Sequence, residues 1–171
     1  MASTEQALRH VLDRAEIQDV LYRYARGVDR RDWALVRAAY HPDAHDDHGG
    51  YKGGVDGLIE WLVKRFADVV NSTHVIGNCL VEFASDDDAR VETYFVSSRL
   101  RAAEHHECGA KDGEDAMCRQ SWGRYLDQFE RRDGAWRIAR RAVVLDAAYR
   151  FLVHDGLKEA LPAQTGVNDV D

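Results

Sequence analysis

The chain has 171 residues and a mass of 19.4 kDa, the size of one domain rather than two. Hydrophobic residues make up 45% and charged residues 31%, a balance that excludes wholesale disorder. Thirty acidic against 23 basic residues leave a formal charge of −7, which argues against a nucleic-acid partner, because neutralising phosphates needs a basic surface. No apolar run approaches the ~20 residues of a membrane span, and Met1 to His10 lacks an apolar stretch of signal-peptide length. The three cysteines, Cys79, Cys108 and Cys118, are odd in number and form no Cys-x-x-Cys, so they read as reduced thiols of a cytoplasmic protein.

The first element is a helix. Leu8, Val11, Leu12 and Ala15 recur at helical spacing, and Ile17, Val20, Leu21, Tyr24 and Val28 continue the stripe. Ser3 or Thr4 is its expected cap, and Gly27 lies near its end. Asp32 reads as the N-cap of a short second helix with Trp33, Val36, Ala39 and Tyr40 on its apolar side. His41 to Gly54, with Pro42 and four glycines among charged residues, reads as a loop. A third helix is expected from Val55 to Val70, burying Leu58, Ile59, Leu62, Val63, Phe66 and Val69. The texture then changes to strands: Val75 to Phe83, a turn at Ser85 to Asp88, and Arg90 to Leu100. Glu104 to Glu114 is a polar connection. Ser121 to Arg131 and Ala135 to Leu145 form a hairpin about Asp133-Gly134.

Helices followed by consecutive antiparallel strands mean an α+β domain, with three N-terminal helices on one face of a curved antiparallel sheet. Such a sheet encloses a cone, a natural small-molecule site. The cone domain is expected over residues 1–155, with a partly flexible C-terminal tail over 156–171.

The order of several segments carries a resemblance. Ala15-Glu-Ile-Gln-Asp-Val-Leu-Tyr-Arg-Tyr24 is followed by Val28-Asp29, Asp32-Trp33 and Tyr40-His-Pro-Asp-Ala44; Ser72-Thr-His74 opens a strand; Gly123-Arg-Tyr-Leu-Asp127, Gly134-Ala-Trp-Arg-Ile138 and Arg141 close the chain. This order resembles the SnoaL-like branch of the nuclear transport factor 2-like superfamily over residues 8–150. That branch includes scytalone dehydratase, bile acid 7α-dehydratase and hexachlorocyclohexane dehydrochlorinase, cofactor-free lyases built on an Asp–His pair. The resemblance implies that Asp29 and His74 are that pair, that Tyr24 matches a pocket tyrosine and that Arg141 matches a pocket arginine.

On this reading His74 is a general base, suited by an ordinary pKa of ~6.5. Asp29 fixes its tautomer and stabilises the imidazolium. Tyr24 and Arg141 position a substrate oxygen, and Arg141 offers a bidentate fork. Asn78 shares the strand face of His74 if no bulge intervenes. Asp47, His48 and Tyr51 are expected at the mouth of the cone. Three histidines and three aspartates between His41 and His48 invite a metal reading, but their spacing fits no zinc pattern, so no metal is expected. Neither a Gly-x-Gly-x-x-Gly after a strand nor a Gly-x-Ser-x-Gly elbow occurs, so no nucleotide cofactor and no serine-hydrolase chemistry are expected.

The expected function is a cofactor-independent elimination of water from a hydrophobic cyclic or aromatic hydroxylated molecule. Formaldehyde-releasing carbon–carbon cleavage and double-bond isomerisation stay open on the same scaffold. So does a different class: a non-catalytic ligand binder, or a structural subunit like the β subunit of ring-hydroxylating dioxygenases. Association into a homo-oligomer, dimer or trimer, is expected by analogy with the fold.

Overall fold

The computed structural model describes residues 4–104 and 106–160. Helix α1 (Thr4–Arg30) buries Ile17, Val20, Leu21, Tyr24 and Val28. Leu8, Val11 and Leu12 remain exposed, so the first half of the expected apolar stripe does not enter the core. The helix stops in a Schellman motif: Arg31 is left-handed at φ 58°, and Arg31 N–H and Asp32 N–H donate to the carbonyls of Val28 and Gly27. Asp32 then caps α2 (Trp33–Ala38) by accepting from Leu35 N–H at 2.9 Å. This abrupt stop leaves Asp29 in the last turn of α1, facing the sheet.

The segment expected as a loop is instead two strands, β1 (Tyr40–Asp47) and β2 (Lys52–Gly54). Pairing of β1 with a strand nearly a hundred residues away supplies backbone partners that its polar composition does not advertise. Pro42 lies in the register gap between Tyr40 and His45, where no ladder donor is missed. Helix α3 (Val55–Arg65) is shorter than expected, because Val69 already begins β3 (Val69–Phe83). Ser72 and His74 therefore lie inside a strand rather than at its start.

The remaining strands are β4 (Asp88–Ala102), β5 (Ala116–Arg132) and β6 (Ala135–Val153), followed by the single turn α4 (Gly156–Glu159). Of the expected tail, residues 161–171 lie outside the described residues. The sheet order is β2-β1-β6-β5-β4-β3, antiparallel throughout except for the parallel β1–β6 pair. The sheet is open and curved, with α1, α2 and α3 on one face, the α+β cone expected from the element order.

Bulges bend the long strands, between Ile76 and Cys79 on β3 and at Asp146 on β6, opposite Trp122 and Gly123 of β5. Gly123 sits where a Cβ would meet the Val144 carbonyl at 2.3 Å and the Phe95 ring at 2.8 Å, so only glycine allows that bend against that ring. The core lies between the helices and the concave sheet face, with Trp136, Phe129, Ile138 and Leu58 among its fully buried members. Asp13, buried on α1, ties the helix to the hairpin by accepting from Trp136 Nε1 at 3.0 Å and Arg131 at 2.9 Å. The three cysteines are free. Among the described residues no helix is long and apolar enough to cross a membrane.

Candidate active site

Between the helices and the concave face lies a cavity of about 400 Å³, within the size range of small-molecule sites. Tyr24 and Val28 line it from α1, His48, Gly49 and Gly50 from the turn after β1, and Trp61 from α3. His74 lines it from β3, Phe95 from β4 and Tyr125 from β5. Phe95 and Tyr125 stack at 4.4 Å between ring centroids and form a flat aromatic wall.

His74 and Asp29 meet at the edge of this cavity. His74 Nδ1 lies 2.6 Å from Asp29 Oδ1, and the His74 backbone N–H donates to Asp29 Oδ2 at 2.7 Å. Ser72 Oγ donates to Asp29 Oδ1 at 2.8 Å. Both carboxylate oxygens are thus engaged, so the carboxylate cannot rotate away. With Nδ1–H given to Asp29, His74 Nε2 is the ring atom left for the cavity. Burial pushes the Asp29 carboxyl up, but the hydrogen bonds and charge of His74, with Ser72, hold it below its ordinary value.

A carboxyl held low in the native state adds stability above its unfolded value of 3.8. That contribution disappears as pH falls through the lowered native value. A carbon-13 NMR titration of the Asp29 carboxyl is expected to find its midpoint below the ordinary aspartate range. A midpoint at or above that range contradicts the pairing.

A second His–Asp pair stands across the cavity. His48 Nδ1 is hydrogen-bonded to Asp46 Oδ1, and Asp46 Oδ2 accepts from Tyr40 OH at 2.7 Å. The other ring nitrogen, His48 Nε2, lies 3.3 Å from Tyr24 OH. Burial, reduced by the nearby Arg141 charge, pushes the Tyr24 hydroxyl up to about 12, so it stays protonated as a donor. The sequence reading placed His48 at the mouth but missed Asp46. The signal was alternation, since Ala44 and Asp46 are the inward positions of β1.

The other expected residues lie elsewhere. Arg141 is fully buried beneath the cavity floor, bidentate to Asp127 at 2.7 Å for each bond. Its guanidinium carbon lies 4.0 Å from the Tyr125 ring centroid and 4.3 Å from that of Tyr24. Burial opposes its charge, but Asp127 and the tyrosines around it keep it charged. With its fork occupied, it braces the tyrosines rather than facing the cavity. Asn78 is exposed, because the bulge between Ile76 and Cys79 reverses the alternation that would have put it beside His74. Asp47 is bound to Lys52 at 2.8 Å and to Gly49 N–H at 3.0 Å, outside the cavity. Tyr51 donates to the Gly54 carbonyl at 2.7 Å and stands behind Trp61 rather than in the lining.

Among the described residues no three of His, Cys, Asp and Glu converge as a metal site. His41 bonds the Glu130 carbonyl at 2.9 Å, His45 belongs to a groove away from the cavity, and His48 belongs to the cavity.

The SnoaL-like domain model matches residues 9–142. An uncharacterized protein of Mycobacterium tuberculosis, Rv2910c, is 29% identical over 139 residues, covering 79% of this chain and 86% of that protein. Among solved structures, a scytalone dehydratase-like protein of Novosphingobium aromaticivorans superposes with a TM-score of 0.72 at 16% identity, covering 86% of this chain and 93% of its own. A hexachlorocyclohexane dehydrochlorinase, LinA-type3 of Novosphingobium barchaimii, gives 0.68 at 22% identity, covering 85% and 94%. At these identities the superpositions speak to fold alone, whereas the domain model spans most of the chain. The protein belongs to the SnoaL-like family, within the nuclear transport factor 2-like superfamily.

Proposed function

We propose that the protein is a lyase that removes water from a cyclic or aromatic hydroxylated molecule without a metal or nucleotide. The single observation that carries this reading is the Asp29–His74 pair, held by three hydrogen bonds at the wall of an aromatic-lined cavity. His74 Nε2 takes the proton from the carbon next to a carbonyl or phenol, and Asp29 stabilises the imidazolium. The electrons of the broken C–H bond form the new double bond as the C–O bond breaks. The leaving oxygen takes its proton from the Tyr24–His48 pair and departs as water. The lyase-type neighbours in fold support this reaction class.

The same observation favours catalysis over a purely structural role. A binder has no need of a base held in one tautomer at the cavity wall. The opposite sheet face keeps Tyr94, Trp122, Leu126 and Tyr149 exposed, which supports association of copies there; the sedimentation mass of the full chain measures it.

The experiment is product analysis by mass spectrometry on a panel of hydroxylated cyclic ketones and phenols, after exhaustive chelation and with no cofactor added. Loss of one water from at least one compound is the expected result. Ligand binding throughout the panel with no turnover would place the protein among the binders.

A further inference from the structure

One end of the cavity is built from arginines. Arg65 comes from the last turn of α3, Arg99 from β4 and Arg119 from β5, and all three line the same cavity as His74. Just beyond, Arg101 and Arg150 join them in an adjoining groove, where Asp68 is the one carboxylate among the described residues. Asp68 lies 3.7 Å from Arg101. In a chain of net charge −7 this is a marked local reversal of sign.

The register makes the arrangement costly. Arg99 faces Arg119 across β4–β5, and Arg119 faces Arg150 across β5–β6. Like charges directly opposite on neighbouring strands destabilise a sheet. Among the described residues none of Arg65, Arg99 and Arg119 has a carboxylate within ion-pair distance. Arg65 and Arg99 rest on the rings of Trp61 and Phe66, at 5.0 and 5.5 Å. Arg119 Nε reaches Ser121 Oγ, at 3.4 Å. Arg99 Nε is buried and has no hydrogen-bond partner among the described residues, and such a group ordinarily has one. Burial, with the charges of Arg65 and Arg119, brings the Arg99 guanidinium down to about 10, so it is still charged at neutral pH.

We propose that this end of the cavity binds an acidic oxygen group of the substrate, a carboxylate or a phosphate, through Arg99, Arg119 and Arg65. The substrate of the proposed lyase is then a cyclic or aromatic acid rather than a neutral molecule; this clause rests on the function proposed above, while the anion site does not. The register sets the reach. His74 faces Ser97, and Arg99 stands two residues further along β4, about 7 Å away along the strand. That separation suits a ring lying on the Phe95–Tyr125 wall, its acid group at the arginines and its reacting carbon at His74.

The test uses the full chain and three probes: 4-hydroxybenzoate, phenyl phosphate and the neutral 4-hydroxybenzamide, with binding read by calorimetry and by thermal shift. At least one anion is expected to bind and raise the melting temperature, and the amide to bind at least about tenfold more weakly. The anion that binds more tightly identifies the acid group. Arg99→Gln and Arg119→Gln are each expected to weaken that anion by about tenfold or more, and Arg99→Lys by less, since it keeps the charge but loses the fork. Without ligand, Arg99→Gln should melt at the same temperature or higher, because a like-charge repulsion is relieved. Equal binding of amide and anions, or unchanged anion affinity in both glutamine variants, overturns the proposal. His74→Ala should keep full anion affinity, so a failure of the lyase reading and a failure of the anion site give different results.

Discussion

Replacing His74 by alanine is expected to slow turnover by about 10²–10⁴-fold, or about 3–5 kcal/mol of barrier, the usual contribution of a positioned general base. The fold should survive, because His74 is held by side-chain and main-chain bonds to Asp29 at the cavity edge rather than packed in the core. Asp29→Asn is expected to impair turnover strongly as well: an amide can still bond the ring, but it does not stabilise the imidazolium formed when His74 takes the proton. The two substitutions together should cost little more than His74→Ala alone, since the residues act as one unit. Steady-state kinetics on the four proteins is the check. A His74→Ala protein turning over at a near-normal rate removes this residue from the mechanism.

Arg141→Ala is expected to destabilise the fold by about 3–5 kcal/mol, the usual cost of leaving one partner of a buried ion pair alone. Both side chains of the Arg141–Asp127 pair are fully buried. Burial already pushes the Asp127 carboxyl above its ordinary value despite the guanidinium beside it, so losing that guanidinium leaves a charge with neither water nor partner. The faces of Tyr24 and Tyr125 lose their packing partner at the same time. Arg141→Met combined with Asp127→Val should recover much of the loss, because the orphaned charge is gone. Urea unfolding of the three proteins measures both effects. A single Arg141→Ala variant as stable as the parent would show that the pair does not hold the tyrosines in place.

The Asp29–His74 pair was legible through the family resemblance, and each residue sits in a strongly patterned element. Asp29 follows the apolar stripe of α1, and His74 stands in a run rich in β-branched residues. The helix-then-strand order was likewise enough for the fold class. β1 escaped because its residues are polar and its partner β6 lies far along the chain, so its strand character comes from tertiary pairing rather than from propensity. The placement of Asn78 beside His74 required an unbroken alternation, and the bulge between Ile76 and Cys79 breaks it. Arg141 carried the right spacing from Trp136, but its binding capacity is taken up by Asp127, a partner fixed only by the β5–β6 register. The arginine end of the cavity depends on register in the same way. Arg99 continues the inward positions Phe95 and Ser97, and Arg119 precedes Ser121 and Tyr125, yet nothing local places the two opposite each other.

The claim that His74 is the proton-abstracting base is tested most directly by hydrogen exchange in heavy water, followed by NMR on a substrate analogue that carries an acidic hydrogen next to its carbonyl but has no hydroxyl to lose. The parent protein should incorporate deuterium at that carbon, since the imidazolium exchanges its proton with solvent before returning it, and His74→Ala should not. Exchange at the parent rate in His74→Ala would contradict the assignment.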